Sequence, residues 1–182
     1  MINCDQSRWS KYVGMHFLEK SPCFDSRKKG KQFAKERGFK VDLYQRFARH
    51  FNRCKGAYGC FFSHYNVWAK IFKIYNLTAK NEKYLILEDD VEPYDIIELM
   101  ANQEVEPEDR TVVNLRFGSI CHGSEAYMID SLTCKELILK TRHTIRFPVD
   151  KFLFWHGMPR TWETAQLPKI RLADWSKKSS LK

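Results

Sequence analysis

The stretch KYLILEDD, residues 83–90, constrains this chain more than any other. Residues 84–87 are apolar at both alternating positions, so a strand built from them has no face to turn to water. Such strands sit centrally in parallel sheets, covered by helices on both sides. This one runs straight into Glu88, Asp89 and Asp90, with Pro93 close behind. Three carboxylates where a buried strand leaves the core demand a reason.

The rest of the chain alternates strand and helix signals. Residues 1–4 read as a short opening strand, and 7–21 as a helix on the spacing of Trp9, Tyr12, Val13, His16 and Phe17. Residues 21–30 connect, and 31–53 read as a further helix with Phe33, Phe39, Tyr44, Phe47 and Phe51 among basic residues. A break at 56–59 precedes an amphipathic helix at 60–77. After the acidic strand come a short helix at 94–103, a loop at 104–110, strands at 111–117 and 125–130, and a helix at 131–141. Regular signals weaken beyond Pro148. This order predicts an α/β fold, a mostly parallel central sheet flanked by helices. The 182 residues suit one domain, 1–182.

Ligands of open α/β sheets bind beyond the carboxyl ends of the strands, which is where the three acids lie. Residues two apart on a strand share a face, so Glu88 and Asp90 are expected on one side and Asp89 on the other. Clustered carboxylates repel unless a cation neutralises them, and their hard oxygens suit Mg²⁺ or Mn²⁺. Helix caps and salt bridges are the other uses of an acidic strand end.

Charge is unevenly spread. Residues 27–55 hold eleven Lys/Arg against two acids, Glu36 and Asp42, a local net charge of +9. The rest of the chain is balanced. A basic segment of this kind docks a polyanion by displacing counterions, or is simply a solvated face. Arg46, Arg49 and Arg53 are spaced three and four apart, on one face of a helix, and are the candidate polyanion contacts. The six cysteines show no C-x-x-C spacing and read as reduced thiols. The polar start, MINCDQSRW, reads as no secretory leader. No apolar run approaches the roughly 18 to 20 residues of a membrane span. The expectation is a soluble protein of a bacterial or phage-infected cytoplasm, where the sequon Asn76-Leu77-Thr78 carries no meaning.

Upstream of the acids stands Gly59-Cys60-x2-Ser63-His64-x3-Trp68. Downstream come a Gly123-to-Tyr127 stretch with Ala126-Tyr127, and Asp150. With Ile2-Asn3 at the start and Leu87-Glu88-Asp89-Asp90 in the middle, the chain resembles glycosyltransferase family 25, the lipooligosaccharide and collagen-type sugar transferases. The resemblance implies a GT-A-like (Rossmann-like) fold and a hexosyl or pentosyl transfer from a nucleotide sugar, a UDP-sugar by expectation, to a hydroxyl. It implies Mn²⁺ or Mg²⁺ at Glu88 and Asp90, with His156 as a further ligand. Ile2, Asn3, Arg8, Ser63, His64 and Asp89 become the donor-site candidates. Because the family inverts, a general base is expected, and Asp150 is its candidate; capping the helix that follows is its other use.

The basic segment makes the acceptor a polyanion. Hydroxymethylated DNA bases of phage type are the first expectation, with aromatics interleaved among the charges, and a lipooligosaccharide core is the alternative. A non-catalytic nucleic-acid-binding module and a metal-dependent nuclease are the rivals from other classes.

Overall fold

The computed structural model describes residues 1–3, 6–12, 14–16, 18–91, 96, 112–114, 124 and 126–157. The expected helix at 94–103, apart from Ile96, and the loop at 104–110 lie outside them.

The apolar strand forms as β4, Lys83–Leu87, and is partnered differently from the expectation. It runs antiparallel to β6, Ala126–Asp130, which pairs antiparallel with β5, Val112–Asn114. Among the described residues, parallel pairing is confined to short pieces. β1, Ile2–Asn3, runs beside β2, Ser21–Pro22. β3, Lys40–Val41, runs beside β7, Thr144–Ile145. A parallel bridge from Ile2 to Glu88 fastens β1 to the end of β4. The fold is thus mixed α/β, and the sheet order β4-β6-β5 puts β6 in the middle.

Two expected helices are reshaped by glycine. Residues Gln6–Tyr12 form a 3-10 helix, and Gly14 beyond it takes φ +98°. The 31–53 segment is split into α1, Lys31–Lys35, then β3, then α2, Gln45–Arg53. Gly38 has φ +75°, and the Phe39 amide reaches back to the Ala34 carbonyl at 3.1 Å. This closes α1 in a left-handed cap of the kind glycine favours. The Phe spacing across 31–53 mimics one helix because α1 and α2 turn their aromatics to the same core.

Helix α3, Gly56–Thr78, begins inside the expected break. Phe61, His64, Trp68 and Ile71 recur every three or four residues, forming one buried stripe. That stripe meets α4, Ser131–Thr141, and α5, Val149–Gly157. Trp68 is fully buried and stacks on Phe152 with ring centroids 5.9 Å apart. Asp130 caps α4 by accepting the Thr133 amide at 2.6 Å.

The first turns of α3 are capped from a distance. The Ser26 hydroxyl accepts the Gly59 amide at 2.7 Å and donates to the Lys55 carbonyl at 2.5 Å. The Ser63 hydroxyl accepts the Phe24 amide and donates to the Gly59 carbonyl, both at 2.9 Å. The chain at 24–26 therefore lies directly on the helix, and a Cβ at Gly59 would sit 1.9 Å from the Phe24 carbonyl oxygen. Only glycine permits this approach.

Of the cysteines, Cys54, Cys60 and Cys134 lie outside any disulfide, and Cys134 is buried. Cys23 is disulfide-bonded, which corrects the reading of six reduced thiols.

His156 lies in the last turn of α5 against Phe152 and Phe147, at centroid distances of 4.8 and 6.0 Å. Its pKa is held below the ordinary imidazole range, first by burial and then by Lys140 and Arg146.

Two outcomes follow from this packing. Gly59→Ala should cost about 3 kcal/mol, as overpacking against main chain does, read as a lower urea midpoint at unchanged m-value. As pH falls below about 6.5, the unfolded chain takes up the His156 proton before the folded one does. Stability from this site is complete above that pH and declines below it. The drop in melting temperature between about pH 7.5 and 5.5 should be smaller in His156→Gln than in the parent. Identical drops would show that His156 does not couple folding to pH.

Candidate functional site

The end of β4 divides its acids between two sides. Asp89 turns toward the 3-10 helix, where it is buried and its Oδ1 lies 3.5 Å from Arg8 Nη1. The Tyr12 hydroxyl reaches the main-chain carbonyls of Asp89 and Val91, at 3.1 and 2.5 Å. Glu88 turns toward α3. There its Oε1 lies 3.0 Å from His64 Nε2 and accepts the Ser124 hydroxyl at 2.8 Å. The opposite facing of residues 88 and 89 was legible from strand alternation. Asp89 and Asp90 themselves lie in a turn just past the strand.

Behind Glu88 runs a buried hydrogen-bond chain. Trp68 Nε1–H donates to the Tyr127 hydroxyl oxygen at 3.0 Å, and that hydroxyl lies 2.8 Å from His64 Nδ1. Burial pushes the Tyr127 phenol well above its usual pKa, so it keeps its proton. With Trp68 donating to its oxygen, the phenol gives that proton to His64 Nδ1. His64 then carries its own proton on Nε2 and donates it to Glu88. Each donor has an acceptor in this direction. The reverse direction strands the Tyr127 proton in a dry interior, at about 1–3 kcal/mol.

Cys60, one helical turn before His64, completes a group whose ligand-type atoms lie within 4.8 Å of one another: Cys60, His64 and Glu88. A soft ion could use such a set, but only after displacing the Nε2 proton that the relay places there. The arrangement serves Glu88 as a positioning device. The carboxylates of Glu88 and Asp90 have the oxygen chemistry that suits a hard divalent cation.

The other sequence-selected residues are placed as follows. Ile2 is buried and bridges by its main chain to Glu88, so the Ile2–Asn3 backbone lies beside the acids. Ser63 and His64 lie about two turns inside α3 rather than at its N-terminus, and the Ser63 hydroxyl is engaged in docking residue 24. Asp150 stands in the first turn of α5, 4.0 Å from Lys151 Nζ. No hydrogen bond or ion pair joins it to residues 88–90 among the described residues. His156, in its aromatic and cationic setting, does not join Glu88 in a ligand group among the described residues. Arg46, Arg49 and Arg53 are exposed on α2, as their spacing predicts, and Arg46 lies 4.2 Å from the Trp155 ring.

Tyr127, Trp68, Ser124 and Tyr12 were not selected as site residues. One signal was available: His64 falls on the buried stripe of α3, four residues before Trp68, and a buried imidazole requires polar partners.

Residues 40–107, 68 of the 182, match the model of glycosyltransferase family 25 (LPS biosynthesis protein). The match runs from β3 through α3 to β4 and its three acids. No curated protein matches the chain. Over residues 40–107 the chain is similar to glycosyltransferase family 25, which supports the resemblance read from the sequence.

Proposed function

We propose that the chain is a metal-dependent glycosyltransferase that moves a hexosyl or pentosyl group from a nucleotide-sugar donor to a hydroxyl of an anionic acceptor. The observation that carries this reading is Glu88, held at the end of β4 by the buried Trp68–Tyr127–His64 relay, inside the family-matched segment. Glu88 and Asp90 are the residues that would hold Mn²⁺ or Mg²⁺. When bound, such a cation stabilises the charge that builds on a diphosphate leaving group.

The protein's own groups have separable tasks in this reading. His64 fixes the Glu88 carboxylate by donating from Nε2, and Tyr127 fixes the tautomer of His64. Arg8, joined to the buried Asp89, brings a guanidinium to the same strand end, where it can face a donor phosphate. The Ile2–Asn3 main chain beside Glu88 offers amide and carbonyl groups to the donor base. Asp150 is the proposed base for the acceptor hydroxyl. We favour a lipopolysaccharide-type saccharide as acceptor, because the matching family is described by that biosynthesis. The exposed face shared by Arg46, Arg49 and Arg53 favours the second reading, a hydroxymethylated base of DNA.

The test is release of nucleoside diphosphate from a panel of UDP-sugars with and without Mn²⁺. Metal-dependent release is expected, and Glu88→Gln should lower it on the order of 10²-fold or more. Tyr127→Phe keeps the ring but removes the hydroxyl between Trp68 and His64. It should lower turnover about tenfold, as loss of an outer-shell partner does, with little change in donor KM. A parent that releases no diphosphate with any donor sinks the transferase reading. Asp150→Asn should lower transfer on the order of 10² to 10⁴-fold while slow donor hydrolysis continues. Unchanged transfer with a lower melting temperature would leave Asp150 only the ion pair with Lys151. Mass spectrometry of saccharide and DNA acceptors after incubation decides between the two acceptor classes.

A further inference from the structure

A cavity of about 460 Å³ opens in the basic segment, between the start of α1, the inner face of α2 and the first turn of α3. Its rim carries Lys29, Lys31, Lys55 and Asn52, and its wall includes the buried rings of Phe51 and Tyr58. Tyr58 and Cys60 are two residues apart on α3, about 200° around the helix. The cavity therefore lies on the opposite flank from the Cys60–His64–Glu88 group.

The charges here are unevenly compensated. Lys29 is paired with Glu36 at 2.7 Å, Arg27 with Asp25 at 2.8 Å, and Arg146 with Asp42 at 3.8 Å. The nearby acids are thus already engaged. Among the described residues, Lys31 and Lys55 have no acidic partner. The Lys55 stem lies 3.6 Å from where a Gly30 Cβ would stand. Gly30 takes φ +51°, a conformation glycine favours, where the Lys55 stem lies against it, and Lys29, Lys31 and Lys55 all line the cavity. Tyr58 lines the cavity, and its hydroxyl has no hydrogen-bond partner among the described residues.

We propose that this cavity binds a phosphate monoester of a ring-bearing small molecule, at a site separate from the Glu88 end. The two uncompensated ammonium groups match a phosphate monoester, which carries about −1.5 to −2 charge near pH 7. A carboxylate or an internal phosphodiester carries only one. The volume falls in the range of small-molecule sites, about 300–1,000 Å³. The Phe51 and Tyr58 rings, 4.6 Å apart at their centroids, offer an apolar wall to a ring. The Tyr58 hydroxyl and the Asn52 amide supply neutral hydrogen bonds. This inference goes beyond the transferase reading and does not require it.

The test is calorimetric titration of the full chain at low ionic strength with glucose 6-phosphate, and with glucose as control. Saturable binding of the phosphate ester but not of glucose is expected. The double variant Lys31→Gln/Lys55→Gln should weaken it at least about tenfold, since each charged hydrogen bond is worth about that much. Tyr58→Phe should weaken it several-fold. The control Lys28→Gln/Lys35→Gln removes the same charge from exposed positions outside the cavity and should change affinity less than threefold. Melting temperatures establish that each variant folds. No binding by the parent, equal binding of glucose, or equal loss in the two double variants would overturn the proposal. Donor hydrolysis measured on the same samples keeps the two readings apart. Binding without hydrolysis removes the transferase and leaves this site; hydrolysis without binding does the reverse.

Discussion

The structure turns on a requirement at the centre of α3: a buried imidazole must have both ring nitrogens satisfied. His64 meets it with Tyr127 on one side and Glu88 on the other. Tyr127 in turn is satisfied by Trp68, one turn further along the same helix. Because Tyr127 belongs to β6 and Glu88 to the end of β4, this chain sets α3 against two strands at once. Apolar packing alone, Trp68 on Phe152 and Phe61 beside it, would tolerate small slides of the helix. Directional hydrogen bonds among fully buried groups do not, since each displaced donor or acceptor costs its desolvation. The same constraint that fixes the helix fixes a carboxylate where the sheet meets solvent.

This division explains why the acids at residues 88–90 are not equivalent. Asp89 lies at the hinge between β4 and the 3-10 helix, buried against Arg8 and beside the Tyr12 contacts. An apolar replacement there would leave Arg8 without that partner, whereas Glu88 is held by His64 and Ser124 on the α3 side. Consecutive carboxylates thus stand in different surroundings. A substitution at either position is informative only alongside a measurement of folding.

Much of this was legible in the sequence. The apolar residues 84–87 announced a buried strand, and the apolar spacing of 60–77 and 131–141 announced two helices. What escaped was information that periodicity does not contain. Alternation says that β4 is covered on both faces but not which way its neighbour runs, and that neighbour arrives some forty residues later. The even aromatic spacing across 31–53 concealed a helix end; Gly38 was the available sign, and its Schellman-type closure outweighed the pattern. Tyr127 sits among apolar strand residues, and its role appears only when α3 brings Trp68 and His64 to it. Asp150 followed the order of the family motifs and His156 the expectation of a ligand from the C-terminal region. Order along a chain does not fix distance: among the described residues Asp150 pairs with Lys151, and His156 packs on Phe147 and Phe152.

The basic segment shows the same gap between composition and use. Eleven cations within 27–55 read as one polyanion surface, but their surroundings separate them. Arg37 lies 3.6 Å over the buried Phe33 ring and Arg46 lies 4.2 Å over the exposed Trp155 ring, so both are engaged with aromatic faces. Arg27 and Lys29 are held by acids. Only part of the formal +9 can act on a ligand, and the lysines that rim the α1–α2–α3 cavity are the part with an enclosed shape behind it. Compartment bears on what that ligand can be. No helix among the described residues is long and apolar enough to cross a membrane, and the disulfide at Cys23 runs against a reducing cytoplasm. An oxidising setting would remove DNA from the accessible acceptors and keep phosphorylated saccharides. The redox state of Cys23 in cells therefore constrains the acceptor class as directly as any assay of transfer.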